Sequence, residues 1–401
     1  MLKIVPIAEV NGEIRAPPSK SYTHRAYFLS LLAERESRII DPLISDDTLA
    51  TIDAVRAFGA ELQNDTVIPP DELKSNYFFV RESGTTARIT IALATLAHGK
   101  SVVDGRGRLR KRPMDDLVLA LQHLGSKIHG IKLPIIIEGG QIKGGKVKIN
   151  ASKSSQFVTA LLLLGSKTGL EVEVTNPVSW PYVEMTLKTM NSFGVKYERE
   201  GLRFVVYPGV KGASYEVPGD YSSASFFLVA GALFGRVKVE NLLRDDVQAD
   251  MAILRILRET GAKVKVGKRY VEVRTQELRP INVDCSQFPD LFPILAVLAS
   301  YAPGKSVIRG RQLRLKESDR VHAMAVNLAR AGIKVKELKD GLEIHGGRPK
   351  GVVVEDFNDH RIAMAMTILA LGAEGITVIK NERVVNKSYP NFFDDLRRLL
   401  Q

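Results

Sequence analysis

The stretch PSKSYTHRAYFLSLLAERESRII (residues 18–40) begins with hydroxyl and cationic side chains and continues as an apolar segment. Ser and Thr are favoured residues at a helix N-terminus. A helix that is apolar on every side is buried, and the β-branched end of the stretch favours a strand. The stretch therefore predicts a polar helix start, a buried helix and a following strand.

The same pattern occurs five more times, at starts that lie roughly 64 to 72 residues apart. The copies are ESGTTARITIALATLAHGKSVVDG from residue 82, SKSSQFVTALLLLGSKTGLEVEV from 152, GDYSSASFFLVAGALFGRVKVEN from 219, DCSQFPDLFPILAVLASYAPGKSVIRG from 284 and DFNDHRIAMAMTILALGAEGITVIKN from 356. Such a spacing is the signature of a repeat architecture. The chain is therefore predicted to be an α/β protein of six similar repeats.

A second, amphipathic helix is predicted in each repeat. The first five of these helices are expected to end at a glycine in the C′ position: Gly59, Gly125, Gly194, Gly261 and Gly332. Six repeats divide naturally into two groups of three. If the first strand (residues 2–5) pairs with the last repeat, the chain crosses between the groups near residues 14–17 and 217. These crossings predict a discontinuous domain (1–16 and 218–401) and an inserted domain (17–217).

The polar helix starts predict anion binding. The free N–H groups and the positive dipole end of a helix attract an anion. Six such starts, three in each domain, could converge on one cleft between the domains. The alternative is that these side chains only cap helices, which suffices for Asp220, Ser222 and Ser223. It does not account for Lys20 and Arg25, since a cation at a helix N-terminus opposes the dipole unless an anion intervenes.

Charge and composition limit the classes of function that the chain can have. The 401 residues carry 57 Lys and Arg against 45 Asp and Glu, a formal charge of +12. This excess suggests an anionic partner or a generally basic surface. Aromatic residues do not interleave with the basic run at residues 106–112, as they would on a single-stranded nucleic-acid platform. No membrane span and no signal peptide are predicted. The single cysteine, Cys285, fits a reducing cytoplasm.

Nine motifs in order resemble those of the 5-enolpyruvylshikimate-3-phosphate synthase family. They are PPSKSYTHRA, ESGTTAR, DGRGRLRKRPMDDL, SKSSQFVTALL, SWPYVEMTL, FPDLFPILA, LKESDRVHAMA, NDHRIAMA and NKSYPNFFDDL. The resemblance implies the two-domain inside-out α/β barrel of enolpyruvyl transferases, with three βαβαββ units in each domain. It implies transfer of the enolpyruvyl group of phosphoenolpyruvate to the 5-hydroxyl of shikimate 3-phosphate, in aromatic amino-acid biosynthesis.

The resemblance also implies site residues. Those expected to bind shikimate 3-phosphate are Lys20, Ser21, Arg25, Ser154, Ser155, Gln156, Ser179, Tyr182, Asp290 and Lys316. Those expected to bind phosphoenolpyruvate are Lys20, Gly84, Thr85, Arg88, Arg108, Gln156, Arg320, His360, Arg361 and Lys387. The resemblance assigns shikimate 3-phosphate to the inserted domain and phosphoenolpyruvate to the discontinuous domain. The catalytic candidates are Asp290, Glu317 and Lys20, because two carboxylates in different local fields can divide two proton transfers.

Two departures and two alternatives accompany the resemblance. Glu82 stands where many relatives have Asn, so it should pair with Arg81, Arg88 or Arg106. Gln312 stands where relatives often have Asn. A related transferase that acts on UDP-N-acetylglucosamine uses a cysteine near residues 108–112, and this chain has none there. An RNA-binding protein of similar repeat fold is the other alternative. No cofactor and no metal are expected, and the protein is predicted to be a cytoplasmic monomer.

Overall fold

The computed structural model describes residues 1–7 and 9–400. The chain forms two compact units. The first, here called the discontinuous domain, comprises Met1–Pro17 and Pro218–Gln401. The second, the inserted domain, comprises Pro18–Val217. Among the described residues, no helix has the length and apolar character needed to cross a bilayer.

The α-helices alternate with short strands along the chain. The helices are α1 (Lys20–Leu32), α2 (Asp46–Ala57), α3 (Gly84–Ala94), α4 (Asp115–His123), α5 (Gln156–Thr168), α6 (Pro181–Ser192), α7 (Tyr221–Phe234), α8 (Ala252–Glu259), α9 (Phe292–Tyr301), α10 (Arg320–Arg330), α11 (His360–Leu371) and α12 (Phe392–Leu399).

The strands of the inserted domain and those of the discontinuous domain are numbered together in chain order. They are β1 (Leu2–Ile4), β2 (Val10–Arg15), β3 (Ser37–Ile40), β4 (Glu61–Gln63), β5 (Thr66–Ile68), β6 (Tyr77–Phe79), β7 (Gly99–Asp104), β8 (Lys127–His129), β9 (Ile135–Gly139), β10 (Gly145–Asn150), β11 (Leu170–Thr175), β12 (Tyr197–Glu200), β13 (Arg203–Val206), β14 (Ser214–Glu216), β15 (Gly235–Glu240), β16 (Lys263–Val266), β17 (Tyr270–Arg274), β18 (Asn282–Asp284), β19 (Lys305–Arg309), β20 (Lys334–Glu337), β21 (Gly341–His345), β22 (Val353–Val354) and β23 (Thr377–Ile379).

Five of the six small sheets are four-stranded and share one topology, and the sixth (β1-β23-β22) has three strands. In the second repeat, β6 and β7 are parallel, β7 and β9 antiparallel, and β8 pairs antiparallel with β9. Helix α3 connects the parallel pair, as such a crossover requires. The third repeat (β10-β11-β13-β12) and the fifth (β18-β19-β21-β20) have the same order. The βαβαββ unit is therefore a structural repeat as well as a sequence repeat.

Three strands pair with partners that are distant in the sequence. β14, at the end of the inserted domain, is the parallel partner of β3 in the first repeat. β2 is the parallel partner of β15 in the fourth repeat. β1 pairs antiparallel with β23 in the sixth repeat, as predicted for the first strand. Through these pairings, strands from the ends of the domain segments become part of the sheets of the same domain.

The first helix of every repeat lies in a core. α1, α3 and α5 contact one another in the inserted domain, and α7, α9 and α11 do so in the discontinuous domain. Nearly all their residues are buried, in agreement with their apolar sequences. The second helices of the first five repeats end as predicted, each at a glycine with positive φ: Gly59, Gly125, Gly194, Gly261 and Gly332.

Candidate active site

The start of α1 places the predicted Lys20 and Ser21 beside α2. Ser19 is the N-cap, and its hydroxyl accepts from the backbone N–H of Tyr22. The ammonium of Lys20 donates to Asp47 Oδ2 at 2.8 Å. Both side chains are mostly buried, at 17% and 9% exposure. The Lys20 side chain is therefore fixed by a carboxylate from the first turn of the next helix.

Arg25 is a buried cation with only neutral partners. Its residue is 2% exposed. Its guanidinium donates to Thr186 Oγ1 at 2.8 Å and to the carbonyls of Ser21 at 2.7 Å and Tyr182 at 2.8 Å. Burial is the main cause that lowers the pKa of Arg25 to about 10. Among the described residues, no carboxylate lies within ion-pair distance of Arg25. An uncompensated buried charge is costly, so this position favours an anionic ligand.

The start of α3 brings Gly84 against two guanidinium groups. Ser83 caps the helix by accepting from the N–H of Thr86 at 3.3 Å. A Cβ on Gly84 would lie 2.6 Å from Nη1 of Arg112 and 2.9 Å from Nη1 of Arg88. Both distances are shorter than real Cβ contacts, so a side chain at this position would require the two guanidinium groups to shift, and glycine permits their close approach. Arg112, a buried residue, was not among the predicted site residues.

Arg88, Gln156 and Thr85 form one network between α3 and α5. The Arg88 guanidinium donates to Gln156 Oε1, and Gln156 Nε2 donates to Thr85 Oγ1 at 3.0 Å. The same guanidinium lies 5.3 Å from the ring centroid of Phe157. The structure thus brings together four predicted residues at adjacent helix starts, since Gly84 precedes Thr85.

The predicted serines lie at the starts of α5 and α6. Ser154 Oγ accepts from the backbone N–H of Gln156 at 3.2 Å. Ser155 is the N-cap of α5, but its side chain makes no capping hydrogen bond. Ser179 has φ of +51° just before α6, and the carbonyl of Tyr182 in the first turn holds Arg25.

The basic loop before α4 contains the predicted Arg108, which is exposed on a 3₁₀ turn over Gly107–Lys111. Nearby, Glu82 pairs with Arg106 at 3.7 Å. This is one of the pairings expected for the unusual glutamate. The negative charge of Glu82 is therefore partly compensated.

In the discontinuous domain, Arg320 is the centre of a carboxylate cluster. It is fully buried, with 0% exposure. Its Nη1 lies 2.8 Å from Asp290, its Nη2 2.7 Å from Glu317, and its Nε 2.9 Å from Asp359. The guanidinium that the sequence assigned to phosphoenolpyruvate is thus engaged by three protein carboxylates. Its direct effect in this structure is to hold the two candidate proton-transfer groups in place.

Asp290 is strongly held in its ionised form. Burial alone would raise its pKa, but Arg361, Lys316 and Arg320 together hold the pKa of this carboxyl well below its usual range. Arg361 Nη2 lies 3.1 Å from Asp290 Oδ2, and Lys316 Nζ lies 3.9 Å from Oδ1. A carboxylate with such a low pKa accepts hydrogen bonds well and takes up a proton poorly. This favours an orienting role for Asp290 over a proton-storing one.

The other predicted residues of this domain are also buried. His360 opens α11, and its Nδ1 lies 3.8 Å from Asp359 Oδ1. Arg361 follows it, and its backbone N–H donates to Asp359 at 3.0 Å. Lys387 ends a 3₁₀ turn over Glu382–Lys387. Asp359 therefore caps α11 while it also binds Arg320.

Asp250 is a second buried carboxyl near this cluster. Burial, followed by the charge of Asp290, raises its pKa to about 7. Arg361 opposes this rise. At neutral pH the group is therefore divided between its protonated and ionised forms.

Asp250→Asn is expected to raise the free energy of unfolding at pH 8 by on the order of 2 to 4 kcal/mol. The pKa of Asp250 is higher in the folded than in the unfolded state, so the folded protein binds more protons at pH values between the two. The contribution of this carboxyl to the free energy of unfolding of wild type is therefore lost as pH rises from about 4 to 7. Guanidinium unfolding at pH 4 and pH 8 checks this, with exposed Asp340→Asn as the control. An equal pH-dependent loss in Asp250→Asn and wild type would contradict the prediction.

Four charged residues escaped the sequence reasoning: Asp47, Arg112, Asp250 and Asp359. Asp47 and Asp359 lie at helix starts, where an aspartate is also an ordinary capping residue. Arg112 ends a basic run and is indistinguishable there from surface charge. A signal existed for Asp359, which directly precedes the predicted His360 and Arg361.

Comparison with known proteins identifies the family. The family model described as EPSP synthase (3-phosphoshikimate 1-carboxyvinyltransferase) matches residues 4–396. A curated relative named 3-phosphoshikimate 1-carboxyvinyltransferase, from Thermococcus kodakarensis, is 63% identical over 99% of this chain and 100% of its own length. One of the same name from Pyrococcus abyssi is 64% identical over 98% of this chain and 96% of its own.

Solved structures show the same fold. An EPSP synthase from Acinetobacter baumannii matches with a TM-score of 0.81 and 27% identity, over 99% of this chain and 97% of that one. The enolpyruvyl transferase NikO from Streptomyces tendae matches with a TM-score of 0.79 over 99% and 96%, at 17% identity, which supports the fold alone. The predicted fold class, the enolpyruvyl transferase fold, is thereby confirmed. With a family model over nearly its whole length and relatives above 60% identity, the chain belongs to the EPSP synthase family.

Proposed function

We propose that the protein transfers the enolpyruvyl group of phosphoenolpyruvate to the 5-hydroxyl of shikimate 3-phosphate and releases phosphate. The observation on which this proposal depends most is the environment of the Arg25 side chain. It is a buried guanidinium in the second turn of α1 whose described partners are all neutral. Membership of the EPSP synthase family supplies the identity of that anion.

Shikimate 3-phosphate is proposed to bind at the starts of α1, α5 and α6. A planar guanidinium suits a carboxylate, so Arg25 is assigned to the ring carboxylate. Helix-start N–H groups and hydroxyls suit a phosphate. They come from the third repeat: Ser154, Ser155 and Ser179. The remaining predicted contacts are Lys20, Ser21, Gln156, Tyr182, Asp290 and Lys316.

Phosphoenolpyruvate is proposed to bind through cations and the glycine turn of α3. Gly84 and Thr85 allow close approach of the backbone, and Arg88 with Gln156 supports that turn. The other residues that the resemblance assigns to this substrate are the cations Lys20, Arg108, Arg361 and Lys387, and His360. The resemblance also assigns Arg320 to this substrate. Its contacts with three carboxylates support a role in positioning those side chains.

The chemistry proceeds by addition and elimination without a redox change. The 5-hydroxyl oxygen bonds to C2 of phosphoenolpyruvate while its proton leaves and another proton adds to C3. A proton then leaves the new methyl group, the C2–O bond to phosphate breaks, and the double bond forms again. We assign Asp290 to orienting the hydroxyl, Glu317 to proton exchange at C3, and Lys20 to charge stabilisation between the substrates.

The test is phosphate release with both substrates. Wild type should release phosphate only when shikimate 3-phosphate and phosphoenolpyruvate are both present, and not with UDP-N-acetylglucosamine as the acceptor. Release from phosphoenolpyruvate with the nucleotide sugar as acceptor, but not with shikimate 3-phosphate, would point to a sister transferase.

Arg25→Gln is expected to raise KM for shikimate 3-phosphate by roughly 10- to 100-fold, the loss typical of a charged hydrogen bond to an anion. The glutamine amide can still donate to neutral partners, so the fold should persist. Steady-state kinetics check this, with Arg203→Gln, an exposed arginine of the same domain, as the control. An unchanged KM would contradict the placement of the substrate carboxylate.

We also propose that the enzyme works as a monomer in the cytoplasm, without cofactor. The single cysteine of the chain, Cys285, cannot form an intrachain disulfide, which fits a reducing compartment. Light scattering of the purified protein tests the oligomeric state.

A further inference from the structure

His24 is a buried histidine that the proposed function does not use. It lies in the second turn of α1 and is 1% exposed. Its Nδ1 lies 2.7 Å from Thr51 Oγ1 in α2. Its Nε2 is buried and has no hydrogen-bond partner among the described residues. The polar contact of this imidazole is therefore made through Nδ1 alone.

The contact continues as a chain of hydroxyl groups. Thr51 Oγ1 lies 2.6 Å from Thr86 Oγ1 in α3, and Thr86 Oγ1 lies 2.7 Å from Ser83 Oγ. Ser83 is the N-cap of α3, directly before Gly84. The chain therefore joins the second turn of α1 to the start of α3 through α2.

This chain is parallel to the ion pair of Lys20. Lys20 and His24 are four residues apart on α1, and their partners Asp47 and Thr51 are four residues apart on α2. Residues four apart lie on the same face of a helix. Two adjacent cross-links therefore hold the same faces of α1 and α2 together, one charged and one neutral.

The surroundings keep His24 neutral. Burial is the main cause that lowers its pKa to about 3; the charges of Lys20 and Arg25 also lower it, and the charge of Asp47 opposes them. A charged imidazole beside two cations would disturb the Lys20 ion pair. A neutral imidazole can bond Thr51 without that effect.

We propose that His24 is a positioning residue, which sets Lys20 against Asp47 and fixes the start of α3 through the Thr51–Thr86–Ser83 chain. The proposal depends on the proposed function, since it assigns His24 an effect on turnover through Lys20 and the Gly84 turn. Small displacements of such groups are costly, because a misplacement of about 1 Å can lower a rate by about 100-fold.

The test uses variants that separate position from packing. The amide of Asn can occupy the place of Nδ1, whereas the longer Gln side chain places its amide farther out. His24→Asn should therefore keep near wild-type kcat, and His24→Gln and His24→Leu should lower kcat by roughly 10- to 100-fold. Thr51→Val, which removes the partner hydroxyl at constant shape, should lower kcat similarly. Thr189→Val is the matched control, since that buried hydroxyl only donates to the Met185 carbonyl at 2.8 Å.

A double variant tests whether the chain acts as a unit. His24→Gln with Thr51→Val should lose little more than either single variant, because the two residues share one interaction. If His24→Leu fails to fold, the Asn, Gln and Thr51 variants still give the result. Equal kcat in the Asn and Gln variants, or wild-type kcat in Thr51→Val, would overturn the proposal.

The two proposals fail differently. If wild type releases no phosphate from the two substrates, the proposed function is wrong. If wild type is active and Lys20→Met is not, while the His24 and Thr51 variants change only the melting temperature, only the positioning role is wrong.

Discussion

Lys20→Met is expected to lower kcat by at least 100- to 1,000-fold while the protein stays folded. A single preorganised charge that stabilises a developing negative charge is worth roughly that factor. Lys20 meets this description, because Asp47 holds its ammonium in a fixed position at the start of α1, where the helix dipole also attracts an anion. Methionine keeps the unbranched stem of the side chain and lacks the terminal ammonium group, so most of the packing is preserved.

Some stability should also be lost in this variant. The side chains of Lys20 and Asp47 are only 17% and 9% exposed, so Asp47 loses the cation that compensates its burial, at a cost on the order of 3 kcal/mol. Phosphate-release kinetics and thermal unfolding should be measured together. Lys146→Met is the control, since Lys146 forms an exposed pair with Glu171 in the same domain. Full turnover in Lys20→Met would contradict the assignment of this residue.

The repeat, its helices and their ends were predictable from local sequence. The apolar runs identified the core helices because a helix that is buried on all sides has no polar face. The C′ glycines were predictable because the left-handed conformation restricts the residue type. Gly84 was predictable only by resemblance, and in the structure the absence of a Cβ lets the Arg112 guanidinium approach the backbone closely.

Pairings over long distances in the sequence were only partly predictable. The pairing of β1 with the sixth repeat followed from the need to close a sheet, and the structure contains it. The insertion of β2 beside β15 and of β14 beside β3 was not predicted. Short strands carry little information about their partner, because strand preference depends on the neighbouring sheet.

The site shows the same limit. Sequence motifs identified cations and carboxylates, but not which of them bind one another. Arg320 illustrates this, because its motif suggested a substrate ligand and the structure surrounds it with three carboxylates. Such ion pairs depend on tertiary geometry, which brings Asp290 and Asp359 to a residue 30 or more positions away.

Arg320→Met is expected to lower the free energy of unfolding of the protein by roughly 3 to 5 kcal/mol, the usual cost of removing one partner of a buried ion pair. The variant leaves Asp290, Glu317 and Asp359 close together without their shared cation. Their mutual repulsion then adds to the cost of their burial.

The pH dependence distinguishes this cause from lost packing. Without Arg320, the three carboxylates should have higher pKa values in the folded state, so protonation relieves the repulsion. The deficit relative to wild type should therefore shrink as pH falls from 7 to 4. A packing defect would stay constant over the same range.

Arg314→Met provides the matched control. Arg314 also binds two carboxylates, of Asp319 and Glu337, but it is one-third exposed. Water can solvate those carboxylates after the substitution, so the loss should be about 1 kcal/mol or less. Guanidinium unfolding of both variants at pH 7 and pH 4 makes the comparison. Equal losses in the two variants, or a deficit in Arg320→Met that does not change with pH, would show that the buried carboxylates do not depend on this arginine.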